Sequence, residues 1–413
     1  MRSRTLWQAT LFTGSNVAVS LLAIVSTTIL ARHLGSTGFG SYSFAVAFLT
    51  FIAMIFEFGL FPPAARLAVL AAPSRQRRIV GAALLLYIPV GLAFSATVFA
   101  FSFAVDTWFH VNVGTALRIA APLAFAIPFT QILQLLAQGV DRLHIASITA
   151  IAVQTLLIGL LLFATIVGRL ELETAVALRC VAVAGGAVAA VIWLRPTFDR
   201  IADHISELID GARAYGFHLY IGRVLSIGTY NLDVLMLGIF TNPKSVGFYT
   251  LAGSVAAAAG LPVLGMTTAL FAPLARADGI RPRLLVMAVG VGVFTTFAAS
   301  LLAEPFIDAV FGNQFHSAAR LVLPLALAQG VRGVTGVYNT FLQAHGRGRE
   351  LRNAGLVLTA SNLVFNIALI PPFGAAGAAW ASLFALTANL AAHIVSYYQA
   401  TVIAEDPARA GDL

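Results

Sequence analysis

The chain has 413 residues, of which 59% are hydrophobic and only 10% charged. Soluble domains carry roughly a quarter charged residues, so this composition excludes a water-facing globule and makes hydrocarbon the solvent for most of the surface. The net charge of +8 comes from 24 Arg and one Lys (Lys244) against 17 acids, and its distribution decides between a nucleic-acid surface and a topology signal.

Apolar runs long enough to span a bilayer, about 20 residues each, fall in chain order near Leu11–Ala31, Phe39–Phe61, Ile79–Ala104, Thr115–Gln138, Ile145–Val167 and Thr174–Leu194. They resume near Gly216–Phe240, Val246–Ala272, Leu284–Ala303, Ala319–Leu342, Ala354–Ile370 and Ala375–Ala400. Backbone amides in hydrocarbon need internal partners, so each run is expected to be a helix. The fold class is therefore an all-α membrane protein of about twelve spans. Pro89, Pro122, Pro128, Pro262 and Pro324 lie inside these runs and predict kinks. Met1-Arg2-Ser3-Arg4 leads into a run too long for a signal peptide, so the first run is read as a span that is kept.

With the N-terminus placed in the cytoplasm, the same-side connections are 1–10, 62–78, 139–144, 195–215, 273–283, 343–353 and 401–413. They hold seventeen of the 25 basic residues, among them Arg75, Arg77, Arg78, Arg281, Arg283, Arg347, Arg349 and Arg352. Five lie on the opposite side (Arg32, Arg118, Arg169, Lys244, Arg320), and Arg179, Arg223 and Arg332 lie within spans. This bias fixes both termini on the cytoplasmic side and leaves no nucleic-acid surface. The longest connection contains Phe198, Ile201, Ile205, Leu208 and Ile209 at helical spacing between acids. It reads as an amphipathic surface helix that tethers two halves.

The halves are visible in the residues. Phe61-Pro62-Pro63-Ala64-Ala65-Arg66 is matched by Phe271-Ala272-Pro273-Leu274-Ala275-Arg276, and Gly40-Ser41-Tyr42 by Gly247-Phe248-Tyr249. Arg118 and Pro122-Leu123-Ala124 are matched by Arg320 and Pro324-Leu325-Ala326. Six spans return the chain to its starting side, so the repeats are parallel, with a substrate path expected between them. The expected division is residues 1–197, a cytoplasmic amphipathic linker 198–215, and residues 216–413.

Charges within spans are functional candidates because hydrocarbon penalises them. Arg223 and Asp233 stand about 15 Å apart along the seventh span and do not pair directly. Glu57 lies near the end of the second span. Arg179, early in the sixth, reads as structural, with Glu171 or Glu173 as possible partners. Gln329, Arg332, Asn339 and Gln343 share one helix face within about 80°, and Gln131, Gln134 and Gln138 share one face of the corresponding fourth span. These stripes read as the lining of a hydrated cavity or, alternatively, as interhelical hydrogen bonds. Thr359, Asn362 and Asn366 share a face of the eleventh span, and Gly330, Gly333 and Gly336 mark close packing or a bend in the tenth. The eight His and one Cys show no metal-ligand or nucleophile spacing, so a transporter is expected and an enzyme is not.

Asn231-Leu232-Asp233, Leu237-Gly238 and Val246-Gly247-Phe248-Tyr249, with Leu34-Gly35 and Gly38-Phe39-Gly40-Ser41-Tyr42 in the first half, resemble the polysaccharide transporter family. These are the O-antigen and exopolysaccharide flippases of the multidrug/oligosaccharidyl-lipid/polysaccharide exporter superfamily. The resemblance covers essentially the whole chain, although lysines are few and no further intramembrane Arg cluster is present. It implies an alternating-access flippase that moves a polyprenyl-diphosphate-linked oligosaccharide across the bacterial inner membrane for surface polysaccharide (lipopolysaccharide or exopolysaccharide) synthesis. Arg223 and Arg332 would hold the diphosphate, and Asp233, with Glu57 as a second charge partner, would couple transport to a proton or sodium ion or orient an Arg. No other cofactor is expected. Glycan polymerase and glycosyltransferases of the same pathway are the implied protein partners. The competing readings are a multidrug or small-molecule antiporter of the same superfamily and a membrane glycan polymerase or transferase.

Overall fold

The structure is a computed structural model that describes residues 2–69, 71–199, 201–216, 220, 231–274, 276–277 and 279–405. Among these residues no strand occurs. In chain order the helices are α1 (Arg2–Ile55), α2 (Pro62–Val69), α3 (Pro73–Phe101), α4 (Val105–Trp108), α5 (Gly114–Ala124), α6 (Ile127–Gly139), α7 (Leu143–Ile166), α8 (Leu172–Leu194) and α9 (Ile201–Gly211). They continue with α10 (Asn231–Phe240), α11 (Pro243–Leu274), α12 (Pro282–Val310), α13 (Ala319–Ala344) and α14 (Gly348–Glu405).

Nine helical stretches among the described residues are long and apolar enough to cross a membrane, and α10 is a shorter apolar one. Two of the nine are broken internally where glycine adopts a positive φ: Gly35 in α1 (φ 69°) and Gly374 in α14 (φ 56°). Only a residue without Cβ enters these regions at low cost, so each break lies where the sequence reading ends one span and starts the next. Residues 217–219 and 221–230, about half of the expected seventh span, lie outside the described residues. Ile166, Val286, Phe294, Phe297 and Leu301 are exposed on these helices. Apolar exposure of that extent suits lipid and not water, and the chain is a multi-pass membrane protein.

Three expected boundaries change. The second span stops at Ile55, and residues 56–59 form a turn in which Phe58 (φ 49°) and Gly59 (φ 69°) are left-handed. Glu57 therefore sits in a turn and not within a helix. The fourth span is two helices, α5 and α6, interrupted at Phe125 and Ala126 between Pro122 and Pro128. Tyr87 donates its hydroxyl to the Phe125 carbonyl at this break, which supplies a partner where the helical ladder is interrupted. The connecting helix α9 does not lie free on a lipid surface. Its Leu208 is buried in a cluster with Phe61, Ile79, Phe129, Leu136 and Leu194, and Ile205 packs against the same cluster.

The chain divides into two compact units, Met1–Val224 with Asn242–Gly247, and Leu225–Thr241 with Phe248–Leu413. The first is built around the cluster that receives Leu208. The second contains Leu274, Ala288, Val337 and Phe341 in one cluster and Ala328, Leu358, Ala385 and Leu386 in another. Without a hydrophobic drive between helices in lipid, close contact of small residues supplies the packing energy. A Cβ on Gly292 of α12 would meet the Gly330 Cα of α13 at 3.1 Å, and Gly333 lies against Val263. Gly330 and Gly333 are thus close-packing positions.

Candidate functional site

Asp233 is 5% exposed and sits in the third position of α10. Its Oδ1 accepts hydrogen bonds from the amides of Asn362 (2.9 Å) and Asn366 (2.6 Å). Its Oδ2 accepts from the hydroxyls of Tyr249 (2.5 Å) and Ser382 (2.7 Å). Asn362 and Asn366, one helical turn apart on the first arm of α14, are locked together by a 3.0 Å bond between their amides. Ser382 arrives from the second arm, beyond Gly374, and Tyr249 from α11. All four donors are neutral, and among the described residues no cationic side chain pairs with the carboxylate. Four donors therefore converge on one buried carboxylate. The Asn366 Oδ1, fully buried beside them, has no hydrogen-bond partner. A buried carbonyl oxygen without a donor is costly.

The polar residues of α13 that the sequence reading grouped fall toward one side of the helix. Arg332, Asn339 and Gln343 are exposed and Gln329 is half-buried, whereas Gly333, Val337 and Phe341 on the other side are in the core. On α6, Gln134 and Gln138 are exposed and Gln131 is half-buried. Asn339 also serves the competing reading. It lies 3.2 Å from Nε2 of the buried His393, whose Nδ1 lies 2.9 Å from the Asn389 carbonyl. A carbonyl accepts only, so Nδ1 carries the proton and Nε2 accepts from the Asn339 amide. Gln329 lies against Gly260 of α11.

Glu57 is buried (6% exposed) beside Tyr220, whose hydroxyl donates to the Ile55 carbonyl at 2.6 Å. Arg223 lies outside the described residues. Arg179 does not pair with Glu171 or Glu173; its Nη1 donates to the Gln154 amide oxygen at 3.2 Å. The structure thus joins Asp233 to Asn362 and Asn366, which the sequence reading kept apart, and adds Tyr249 and Ser382. The signal available for these was the pairing of an isolated acid with an i, i+4 amide pair inside apolar helices. The expectation of no metal-ligand spacing concerns His, Cys and carboxylates, and among the described residues no group of three or more of these gathers.

Comparison with known proteins follows the same lines. A relative from Haloferax volcanii, the probable low-salt glycan biosynthesis flippase Agl15, is 26% identical over 194 residues. That match covers 42% of this chain and 40% of the relative, so the chain is matched to less than half of that protein's length. The lipid II flippase MurJ in an inward closed conformation superposes with a TM-score of 0.74 at 14% identity, covering 94% of this chain and 87% of MurJ. An inward-facing multidrug resistance MATE family transporter of the MOP superfamily gives 0.74 at 15% identity, over 96% of each chain. The two solved structures show the fold, and each of the three relatives is named as a flippase or a transporter. The family described as polysaccharide biosynthesis protein matches residues 6–276, about two thirds of the sequence, and the chain belongs to that family.

Proposed function

We propose that the protein is a flippase that moves a polyprenyl-diphosphate-linked oligosaccharide across the bacterial inner membrane by alternating access, with both termini in the cytoplasm. The observation that carries this reading is the polar stripe of the half-buried Gln329 and the exposed Arg332, Asn339 and Gln343, on a spanning helix of a polysaccharide-family chain. Amides and a guanidinium suit sugar hydroxyls and phosphate oxygens, and the stripe of Gln131, Gln134 and Gln138 supplies the same chemistry in the first unit. The Asp233 cluster is the candidate coupling site, where a proton or sodium ion would neutralise the carboxylate. Glycan polymerase and glycosyltransferases would act before and after transport.

The test is complementation of a deletion strain. Arg332→Ala and a Gln329→Ala/Gln343→Ala double variant are expected to lose surface glycan while remaining at normal levels in the membrane. Intact glycan in both refutes the assignment of the stripe. Loss of drug resistance on deletion, with glycan unchanged, replaces the flippase with the antiporter reading.

A further inference from the structure

A second polar cluster lies inside the first unit. Arg179 of α8 donates from Nη1 to Gln154 Oε1 of α7 at 3.2 Å. Gln154 Nε2 donates to the Ser26 hydroxyl of α1 at 2.7 Å, and Ser26 donates to the Ala23 carbonyl at 3.0 Å. Gln154 and Ser26 are 6% and 5% exposed, and Tyr42 is buried within range of the Arg179 charge. The directions of these bonds are fixed: the amide oxygen must face Arg179 because its nitrogen is committed to Ser26. A guanidinium has five N–H donors, and among the described residues the Gln154 bond is the one that Arg179 makes. No carboxylate pairs with it there. A half-buried guanidinium in an apolar span, held in place by one neutral amide and with donors to spare, is a binding group for an anion.

The internal repeat strengthens the point. An offset of 207 residues carries Ser26 onto Asp233 and Tyr42 onto Tyr249, and an offset of 208 carries Gln154 onto Asn362. The two clusters therefore occupy matching places in the two halves and have opposite charge. Where the second half fixes an acid among neutral donors, the first half fixes a base on a neutral acceptor.

We propose that Arg179, oriented by Gln154 and Ser26, is an oxyanion site of the first unit that takes phosphoryl oxygens of the diphosphate-linked lipid. This rests on the glycan-lipid reading above and adds a residue outside its stripes. The discriminating variant is Gln154→Glu. It is close to isosteric and sets a carboxylate oxygen where the amide oxygen now lies 3.2 Å from Arg179, giving the guanidinium a built-in counter-ion. If Arg179 merely braces three helices, the Ser26 hydroxyl turns from the Ala23 carbonyl to donate to the new carboxylate, the brace is kept and binding is untouched. If Arg179 receives an anion, the new carboxylate displaces it.

Full-length wild-type protein, Gln154→Glu, Arg179→Gln and Arg179→Lys would be titrated in phosphatidylethanolamine nanodiscs with a short-chain polyprenyl diphosphate. Thermal unfolding would be followed in parallel to show that each variant is folded. The expected result is at least a tenfold loss of affinity in Gln154→Glu and Arg179→Gln, a smaller loss in Arg179→Lys, and competition by inorganic diphosphate against the wild type. Wild-type affinity in a folded Gln154→Glu protein overturns the oxyanion site and leaves the glycan-lipid reading standing. Absence of binding by the wild type overturns that reading and the site with it. Failure of inorganic diphosphate to compete shows that the polyprenyl tail holds the ligand and overturns phosphoryl recognition. Competition by phosphatidylglycerol in the disc assigns Arg179 to bilayer headgroups and overturns recognition of the transported lipid.

Discussion

Replacing Asp233 by Asn separates what the carboxylate does for the fold from what it does for transport. The carboxylate accepts four hydrogen bonds. An Asn side chain keeps one acceptor oxygen and turns an amide nitrogen toward the other two donors, so two bonds are lost. Interhelical hydrogen bonds in membranes average about 0.6 kcal/mol and reach about 1.7, which puts the loss at about 1–3 kcal/mol. Against this, removing an aspartate charge from the centre of a membrane helix relieves about 2.5–3.5 kcal/mol. The two effects nearly cancel, with the charge term slightly larger. Asp233→Asn is therefore expected to unfold at or somewhat above the wild-type temperature in detergent while losing all dependence of transport on the coupling-ion gradient. The assay is glycolipid translocation in proteoliposomes with imposed proton or sodium gradients, beside thermal melts of the same preparations. Gradient-driven transport at the wild-type rate would refute the coupling role. A melting point far below wild type would show that the carboxylate is a structural anchor whose four bonds outweigh its charge.

Four further outcomes follow from named contacts. His316 lies 2.9 Å from Asp308 and 3.6 Å from Glu304; the hydrogen bond to Asp308, then the charges of both acids, hold its pKa above 6.5. A raised folded value stabilises below the unfolded pKa and is lost as pH rises through the folded one, so thermal melts should fall on going from pH 6 to pH 8, and His316→Asn should flatten that dependence. For Glu207, burial raises the pKa, but hydrogen bonds from His204 and Arg75 outweigh it and leave the carboxyl below 4.5. The docking of α9 is then stabilised above pH 4.5 and weakened as pH falls through the lower folded value, and Arg75→Ala should cost about 0.2–1 kcal/mol at pH 7, read by unfolding. Gly292→Leu should destabilise by about 1–3 kcal/mol through overpacking against Gly330, whereas Gly290→Leu, with nothing within 4 Å of its Cβ position, should melt like wild type. Asp106→Ala removes the acceptor for the Val113 and Gly114 amides at the start of α5 (2.6 and 2.9 Å) and should cost about 1 kcal/mol in the same melts.

Most of the fold was legible because hydrocarbon leaves the chain few options. An apolar run must be a helix, and Arg75, Arg77 and Arg78 or Arg347, Arg349 and Arg352 mark where a connection lies. What escaped was local geometry that apolarity does not encode. Ile55 and Phe61 are equally apolar, yet the helix ends at the first, because Phe58 and Gly59 turn the chain before Pro62-Pro63. Likewise the helical spacing of Ile205 and Leu208 reveals an apolar face without saying whether lipid or protein covers it. The structure answers with Phe61, Ile79 and Leu136.

The site was legible in pieces, and the reason is the shape of α14. Asp233 stood out as a charge in an apolar run, and Asn362 and Asn366 as a pair one turn apart. Ser382 is a small hydroxyl in a helix of alanines and leucines and gives no signal by itself. Its role depends on Gly374, whose backbone (φ 56°, ψ −131°) turns the second arm back so that a residue sixteen positions after Asn366 reaches the same carboxylate. Pro371-Pro372-Phe373-Gly374 announces a break but not its direction. The internal repeat supplies what local patterns cannot: Tyr42 and Tyr249 open matching helices, and the charge that follows from the rest of each half is basic in one (Arg179) and acidic in the other (Asp233). The repeat keeps polar positions but superposes neither charge on the other: Asp233 falls on Ser26, and Arg179 falls on Leu386 or Thr387. Asp233 thus bridges Asn362 and Asn366 on one arm of α14 to Ser382 on the other, across the break at Gly374.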